Sequence, residues 1–465
     1  MTTTTAPAAL FNRDALEQLL VENPLPEWAD QHRRDCMDQF EKLALPDRRQ
    51  EHWMRTDLRM FKPDMWGLRP APSSEPPTGL LAARFPSSND QSRDVQTMGQ
   101  PDYAGHFKTI NGHVVQNEID PSLADQGVLF GTAEDVLASG GDVLKKHWLQ
   151  TIDSKQDYFA ALHGAFHRGS MILYVPPGVR IAEPIHCLAA IDNGGVDTSH
   201  VLVVLGKGAE ATVLTETATC GTTGSGTGFH CGGTEIIVAE NAFLRMVNVQ
   251  NWDRGVWHIA RQKAVVHQNA KLQWTLAALG SRLSQVAQDV ALVGKNAKAQ
   301  VNGVMFTEGK QQLVYNTLQH HEAPSCHSDL LYKGALQDRS RIVWRGMIKV
   351  DKAAQKTDGY QRNDNLMLSE AARSDSIPGL EIEADDVRCT HGATSGRVDE
   401  EQIFYAQARG LSADEAARLV VAGFFQQVFD RITIPSVREA LATAIGLSLI
   451  HISEPTRRRG IGCGG

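Results

Sequence analysis

From Ser170 onward, short runs of Val, Ile, Leu and Thr alternate with small polar turns, which predicts strands rather than helices. One local pattern recurs in this part of the chain, in the segments KGAEATVL, ENAFLRMV, QNAKLQWT and KNAKAQVN. The alanine after each turn is Ala209, Ala242, Ala270 or Ala297, so successive steps are 33, 28 and 27 residues. A repeat of this length without helices between the strands is typical of a solenoid. The pattern therefore predicts a parallel β-helix, although periodicity alone leaves an antiparallel sandwich open.

The residues before this repeat have helical and irregular patterns instead. Asn12 is placed to cap a helix that runs through Val21, and a second amphipathic stripe ends at Pro46. Residues 70–86 are rich in proline and serine, a composition typical of linkers. We therefore expect an N-terminal helical region at 1–80, a linker and mixed lead-in segment at 81–169, and the β-helix core at 170–396.

After the core, the pattern predicts three helices. Asp399 precedes a helix that stops at Gly410, Ser412 and Glu415 form a capping box for the second, and Pro435 opens the third. Because the end of a solenoid exposes unpaired strand edges, we expect the helical regions to cap them, with the C-terminal apolar stripes on the last coil. The final segment contains LSLIHISEPTR, which resembles the translation of a sequencing adapter. We expect a C-terminal helical region at 397–446 and an artefactual tail at 447–465.

Composition and charge narrow the function classes. The chain is 42% hydrophobic and 22% charged, as in an ordinary globular protein, and its net charge of -8 gives no electrostatic reason to expect nucleic acid or an anionic membrane as a partner. No apolar run is long enough for a transmembrane helix, and the start lacks the pattern of a signal or transit peptide. We therefore expect a cytoplasmic protein. The seven cysteines include no CxxC pair, so we expect reduced thiols rather than a disulfide framework or a zinc ribbon.

The strongest candidate chemistry lies in residues 380–396, LEIEADDVRCTHGATSG, which alternate like a strand and end in small residues. Because side chains in a strand repeat every two residues, Val387, Cys389 and His391 should project from one face. Thiolate and imidazole are ligands for zinc, copper(I) and iron-sulfur centres. Two ligands form only half of a closed site, so another chain or other residues would have to complete it. The alternative is structural: a buried thiol beside a hydrogen-bonded histidine.

A second cluster, HHEAPSCHSD, contains His320, His321, Cys326 and His327. Adjacent residues on a strand point to opposite faces, and the spacing matches no closed zinc pattern. We therefore interpret it as a polar loop between coils rather than a metal site. The chain also lacks the GxxxxGK[ST] pattern of a phosphate-binding loop, so any dependence on ATP would have to come from a partner.

The C-terminal part of the chain resembles the SufB/SufD family of iron-sulfur cluster assembly proteins. The residues that stand where the family has its motif are 355–357, Gln361, 365–369, 372–373, 381–387, Cys389, His391, 393–394 and 399–405. SufB members resemble C-E-H-E-A-T at the Cys389 motif and SufD members C-S-H-G-A-T, so Gly392 favours SufD. Upstream, EHWMRTDL at 51–58 is similar to the E-x-W-R-Y-T-x-L element of SufD proteins, with Met54 and Arg55 as departures.

The resemblance spans residues 46–446 and implies a right-handed parallel β-helix with helical regions at both ends. It implies a non-catalytic scaffold that pairs with SufB through the C-terminal end of the β-helix and holds the SufC ATPase on its C-terminal helices. His391 would then be the ligand or iron-handling residue at a shared interface, with Cys389 as the second candidate. The isolated chain would carry no cofactor, because iron or a nascent cluster would be held only transiently at the interface. A homodimer of the isolated chain, the SufB-type scaffold itself and a polysaccharide-cleaving β-helix enzyme remain alternatives.

Overall fold

A computed structural model describes residues 9–72, 75, 77–81, 103–221 and 226–449 of the 465-residue chain. The helices are α1 (Arg13–Glu22), α2 (Glu27–Phe40), α3 (Pro121–Asp125), α4 (Ala133–Lys145), α5 (Tyr158–Phe166), α6 (Glu400–Ala408), α7 (Ala413–Phe429) and α8 (Pro435–Ser448), with 3-10 turns at Glu51–Trp53 and Pro63–Met65. The strands that precede the repeat are β1 (Ala9–Leu10), β2 (Gly67–Leu68), β3 (Gly105–Ile110), β4 (His113–Ile119) and β5 (Leu129–Thr132). Those that follow are β6 (Met171–Val175), β7 (Ile185–Ile191), β8 (Gly195–Asp197), β9 (His200–Leu205), β10 (Glu210–Thr219), β11 (Thr227–Val238), β12 (Phe243–Asn251), β13 (Gly255–Val266), β14 (Lys271–Ala278), β15 (Leu283–Leu292), β16 (Lys298–Thr307), β17 (Gln312–His321), β18 (His327–Leu336), β19 (Arg341–Val350), β20 (Thr357–Met367), β21 (Arg373–Ile382) and β22 (Val387–Arg397).

These strands form a β-solenoid of about eight turns, which confirms the predicted mainly β fold. Sheet one has the order β22-β20-β18-β16-β14-β12-β10-β7-β3-β4, and sheet two has β21-β19-β17-β15-β13-β11-β9-β6-β5. Successive strands alternate between the two sheets, and the neighbours from β6 and β7 onward are parallel. Each coil therefore contributes one strand to each sheet, and the inward side chains form the core between them.

The repeated turn marks the point at which one coil ends and the next begins. Asn241, Asn269 and Asn296 have φ of 60°, 56° and 62°, a left-handed conformation that asparagine tolerates. The alanine after each is fully buried, where a larger side chain would meet the core. The amide of Asn269 donates to Asn241, and that of Asn296 donates to Asn269, both at 3.1 Å. The Asn-Ala pair thus sets the corner at which one coil follows another.

The first strands of the solenoid lie earlier in the chain than the boundary at residue 170 suggests. β3 pairs in parallel with β7, and β5 pairs antiparallel with β6, so part of the expected lead-in segment extends both sheets. Residues 73–74, 76 and 82–102, which include much of the proline-rich stretch at 70–86, lie outside the described residues. The described piece at 77–81 is bound to the solenoid, because the Leu81 N–H donates to the buried Glu216 carboxylate at 2.9 Å.

The helices cover the flanks of the solenoid. α1, α2 and α5 pack on the outer face of sheet two, where their core includes Phe229, Trp257 and Leu283. α7 and α8 pack on the outer face of sheet one, against β16 and β18 among others. The predicted packing of the C-terminal apolar stripes on the last coil differs from the structure, where the cluster that they form among the described residues includes Leu366 of β20 but no residue of β21 or β22.

The predicted helix boundaries at the C-terminus agree closely with the structure. Asp399 caps α6, and Ser412 and Glu415 form the capping box of α7. α8 begins at Pro435 and extends to Ser448, so it includes the first residues of the expected artefactual tail, whereas 450–465 lie outside the described residues. No helix among the described residues is long and apolar enough to cross a membrane.

Candidate functional site

The last coil leaves the interior of the solenoid open to solvent. Among the described strands, β21 pairs only with β19 and β22 only with β20, so the other edge of each strand has no described partner. Leu380 and Ile382 continue the inward rows of Ile348 and Val350, which are fully buried one coil earlier. In the last coil, however, Leu380 and Ile382 are 37% and 40% exposed. Side chains in these rows form the core in the preceding coil but are exposed in the last one. We call this exposed interior of the last coil, formed by β21 and β22, the open end.

Cys389 lies on β22 and faces inward at the open end. It pairs in register with Gly359 and packs beside Ile348, Val350 and Val387. A Cβ at position 359 would lie 3.3 Å from its sulfur, so the glycine leaves room for the thiol. Burial raises the pKa of the Cys389 thiol above its usual value, and a backbone hydrogen bond at Gly359 opposes this shift. The thiol is therefore half-buried and, in the isolated chain, biased toward its protonated form.

His391 lies two residues further along the same strand, about 7 Å from Cys389 along the backbone. It pairs in register with the buried Gln361, whose amide donates to the Gly379 carbonyl at 2.9 Å. The His391 side chain is exposed and makes no hydrogen bond to another described residue. A buried, hydrogen-bonded histidine is therefore not what the structure contains at this position. The imidazole nitrogens are free to contact a group outside the described chain.

The coil beneath the open end is polar. The Asn365 amide donates to Asn363 at 2.6 Å and to Ser376 at 3.0 Å, and Ser376 also donates to Asn363. The buried Oε1 of Gln361 and Nε1 of Trp344 have no partner among the described residues. Buried polar atoms normally find a hydrogen bond, so ordered water is expected beneath the open end. The sequence pattern does not indicate this network, because its members become neighbours only through the register of the coils.

The histidines of HHEAPSCHSD do not converge. His320 faces outward and pairs with Asp351 at 2.9 Å, whereas His321 faces inward and bonds to Ser328 at 2.8 Å. Cys326 is buried in the turn between β17 and β18 and donates to the Gly294 carbonyl, and His327 lies outward near Asp358. Among the described residues, no group of three or more His, Cys, Asp or Glu side chains is arranged to hold a metal ion.

Comparison with known proteins identifies the family that carries such a solenoid. The family model of the SufBD core domain, from the SUF system of iron-sulfur cluster assembly, matches residues 188–424. The family model of the SufBD N-terminal region matches residues 91–187. A SufBD family protein of Mycobacterium leprae is 32% identical over 62% of this chain and 74% of its own length. One of Staphylococcus saprophyticus is 25% identical over 86% of this chain and 85% of its own length. A SufBD family protein of Staphylococcus haemolyticus is 27% identical over 70% of this chain and 69% of its own length.

The fold and these matches define a solenoid protein of iron-sulfur cluster assembly. The chain belongs to the SufBD family. The family resemblance read from residues 355–405 is therefore confirmed, and a polysaccharide-cleaving enzyme is set aside.

Proposed function

We propose that this chain is a SufD-like, non-catalytic scaffold subunit that pairs through its open end with a SufB chain in the cytoplasm. Iron and a nascent cluster are its cargo rather than resident cofactors, and they are handled where the two open ends meet. The observation that carries this proposal is the open end itself, where Cys389 and His391 lie in rows that elsewhere form the buried core. A second solenoid end would cover these rows and supply further ligands.

His391 is the ligand contributed from this side, because its imidazole is exposed and has no competing partner among the described residues. Cys389 is the second candidate, since its half-buried thiol faces the same opening. Four ligands hold a stable cluster, so two from this chain require more from the partner. The site is thus shared, and the isolated chain is expected to bind iron weakly. A homodimer of the isolated chain would cover the same surface.

The C-terminal helices offer a separate surface for the SufC ATPase. Phe404 is 72% exposed on α6, and Tyr405 and Leu419 on α6 and α7 are also largely exposed. Large apolar side chains clustered in solvent mark interaction sites. The opposite face of α7 is already committed to the solenoid through Val421 and Phe425. The exposed face is therefore the one available to a partner.

A SufB-type scaffold is the second candidate, and the thiol of Cys389 at the open end favours it. Gly392 argues for the SufD type, and packing does not impose this glycine, because a Cβ there would meet nothing within 4 Å. The two candidates differ in what the isolated chain holds. A stoichiometric, visible-absorbing cluster on the separately expressed chain would indicate the SufB type, whereas a colourless protein is expected for the SufD type.

The pairing surface can be tested with Leu380→Asp and Ile382→Asp. A carboxylate at either position would be buried without a partner in the complex, which costs several kcal/mol, yet it remains solvated in the free chain. We expect both variants to fold and to lose co-purification with the SufB chain. Undiminished co-purification of both would contradict the proposed interface.

A further inference from the structure

The segment EHWMRT at 51–56 binds along the outer face of sheet two, and we call it the strap. Glu51 pairs with Arg345 on β19, and the Trp53 indole donates to the Asp157 carboxylate at 3.1 Å. Thr56 donates its hydroxyl to Gln285 on β15 at 2.5 Å. The strap is thus bonded to β19 and β15, which belong to different coils, and to Asp157, which caps α5.

Two glutamines of the solenoid also hold the strap through its backbone. Gln285 donates to the His52 carbonyl at 3.1 Å, and Gln312 donates to the Arg55 carbonyl at 2.6 Å. Hydrogen bonds to the backbone fix the course of the segment whatever its exposed side chains are. The side chain of Arg55 is therefore presented from a fixed point rather than from a loose loop.

Arg55 borders a groove of about 500 Å³ that is formed by the last coil. The groove is lined by Ser374, Ser376, Thr394 and Ser395, which belong to the two edge strands β21 and β22. The groove is therefore continuous with the open end. A chain seated on the open end would also reach the strap.

The charge of Arg55 has no partner among the described residues. Its guanidinium lies 3.9 Å from the sulfur of Met54 and makes no ion pair with a described carboxylate. Neighbouring arginines do pair, Arg49 with Asp47 and Arg59 with Asp57. Asp375, the carboxylate that also lines the groove, is engaged by Arg341. The hydroxyl groups of the groove bond to other described residues, so the guanidinium of Arg55 is the group there that attracts a carboxylate.

We propose that this groove receives an acidic side chain of the second SufBD-type chain that covers the open end, so that the strap forms part of the pairing interface. This inference rests on the proposed function and adds a contact that lies outside the solenoid itself. A charged group at the rim of an interface mainly affects the association rate and its dependence on salt. Arg55 would accordingly steer the partner into register rather than supply most of the affinity.

The test compares association of purified variants with the SufB chain at low and high salt. Arg55→Ala should weaken association about 3-fold and Arg55→Glu about 10-fold at low salt, with smaller differences at high salt. Arg49→Glu is the matched control, since it reverses an exposed charge six residues earlier in the chain that does not line the groove, and it should leave association unchanged. Thermal melting of Arg55→Ala and Arg55→Glu should equal that of the parent chain, because Arg55 makes no ion pair with another described residue.

The outcomes separate the inference from the proposed function. If Arg55→Glu binds like the parent chain while Leu380→Asp fails to bind, the strap is not part of the interface and the pairing surface stands. If Leu380→Asp also binds normally, the open end is not the pairing surface and both proposals fall. If Arg55→Glu and Arg49→Glu weaken association equally, the effect is one of net charge and the groove has no specific occupant.

Discussion

Phe425 and Phe404 lie on neighbouring C-terminal helices but have opposite environments. Phe425 is fully buried between α7 and sheet one, with ring centroids 5.2 Å from Phe424 and 5.8 Å from Phe429, whereas Phe404 is 72% exposed. Truncating a buried phenylalanine to alanine costs about 3–5 kcal/mol in lost transfer energy and cavity formation. Truncating an exposed one changes stability by less than about 0.5 kcal/mol.

We therefore expect Phe425→Ala to destabilise the chain by about 3–5 kcal/mol and Phe404→Ala to leave stability unchanged while weakening association with the ATPase. Urea unfolding followed by circular dichroism measures the first effect, and co-purification with the ATPase measures the second. Point substitution is preferable to deletion from Asp399 onward, since deletion would uncover Val304 and Leu331 on sheet one. Equal stability of Phe425→Ala and the parent chain would refute the packing of α7 on the flank. Undiminished ATPase association of Phe404→Ala would refute the assignment of the exposed face.

Two further predictions concern the site and a carboxylate on β15 of sheet two. Gly359→Ala places a Cβ 3.3 Å from the Cys389 sulfur and from Ile348, so it should lower stability by about 1–3 kcal/mol and displace the thiol. Gly392→Ala is the control, because its Cβ would meet no described atom within 4 Å and stability should not change. Equal melting points of the two variants would contradict this contrast. Burial raises the pKa of Asp289 to about 6, so the folded chain holds a proton that the unfolded chain has released, and stability should fall as pH rises from about 4 to 6. Asp289→Asn should remove this pH dependence in urea titrations, and an unchanged profile would contradict the assignment.

Much of the fold follows from local patterns. The turn pattern before Ala242, Ala270 and Ala297 predicts where each coil begins, because the left-handed conformation at the turn restricts the residue type. The same corner recurs at Ser325 and Lys356, with φ of 61° and 60°, but without an Asn-Ala pair, so the repeat was not visible there. Capping residues likewise marked the C-terminal helices, since each cap is a contact within four residues.

The open end could not be predicted in the same way. The apolar stripe of α7 indicates that one face is buried, but it does not indicate against which surface, and that surface is the flank of sheet one. The spacing of Cys389 and His391 predicts that both lie on one face, as they do in β22, whereas the contact of Cys389 with Gly359 follows only from the register of the coils. The sequence shows the strap only as a motif and does not predict where it binds, because its partners Gln285 and Arg345 are more than 200 residues away in sequence.

The most direct test is cluster formation in the complex of this chain with SufB and SufC, measured as visible absorbance with bound iron and sulfide. His391→Ala should fold and assemble, because the exposed imidazole makes no hydrogen bond to another described residue, and it should fail to form the cluster. Cys389→Ala should show a smaller loss. His327→Ala is the matched control, an outward histidine on the same sheet near Asp358. Cluster formation at the parent level by an assembled His391→Ala complex would contradict the claim that the open end of this chain supplies a ligand.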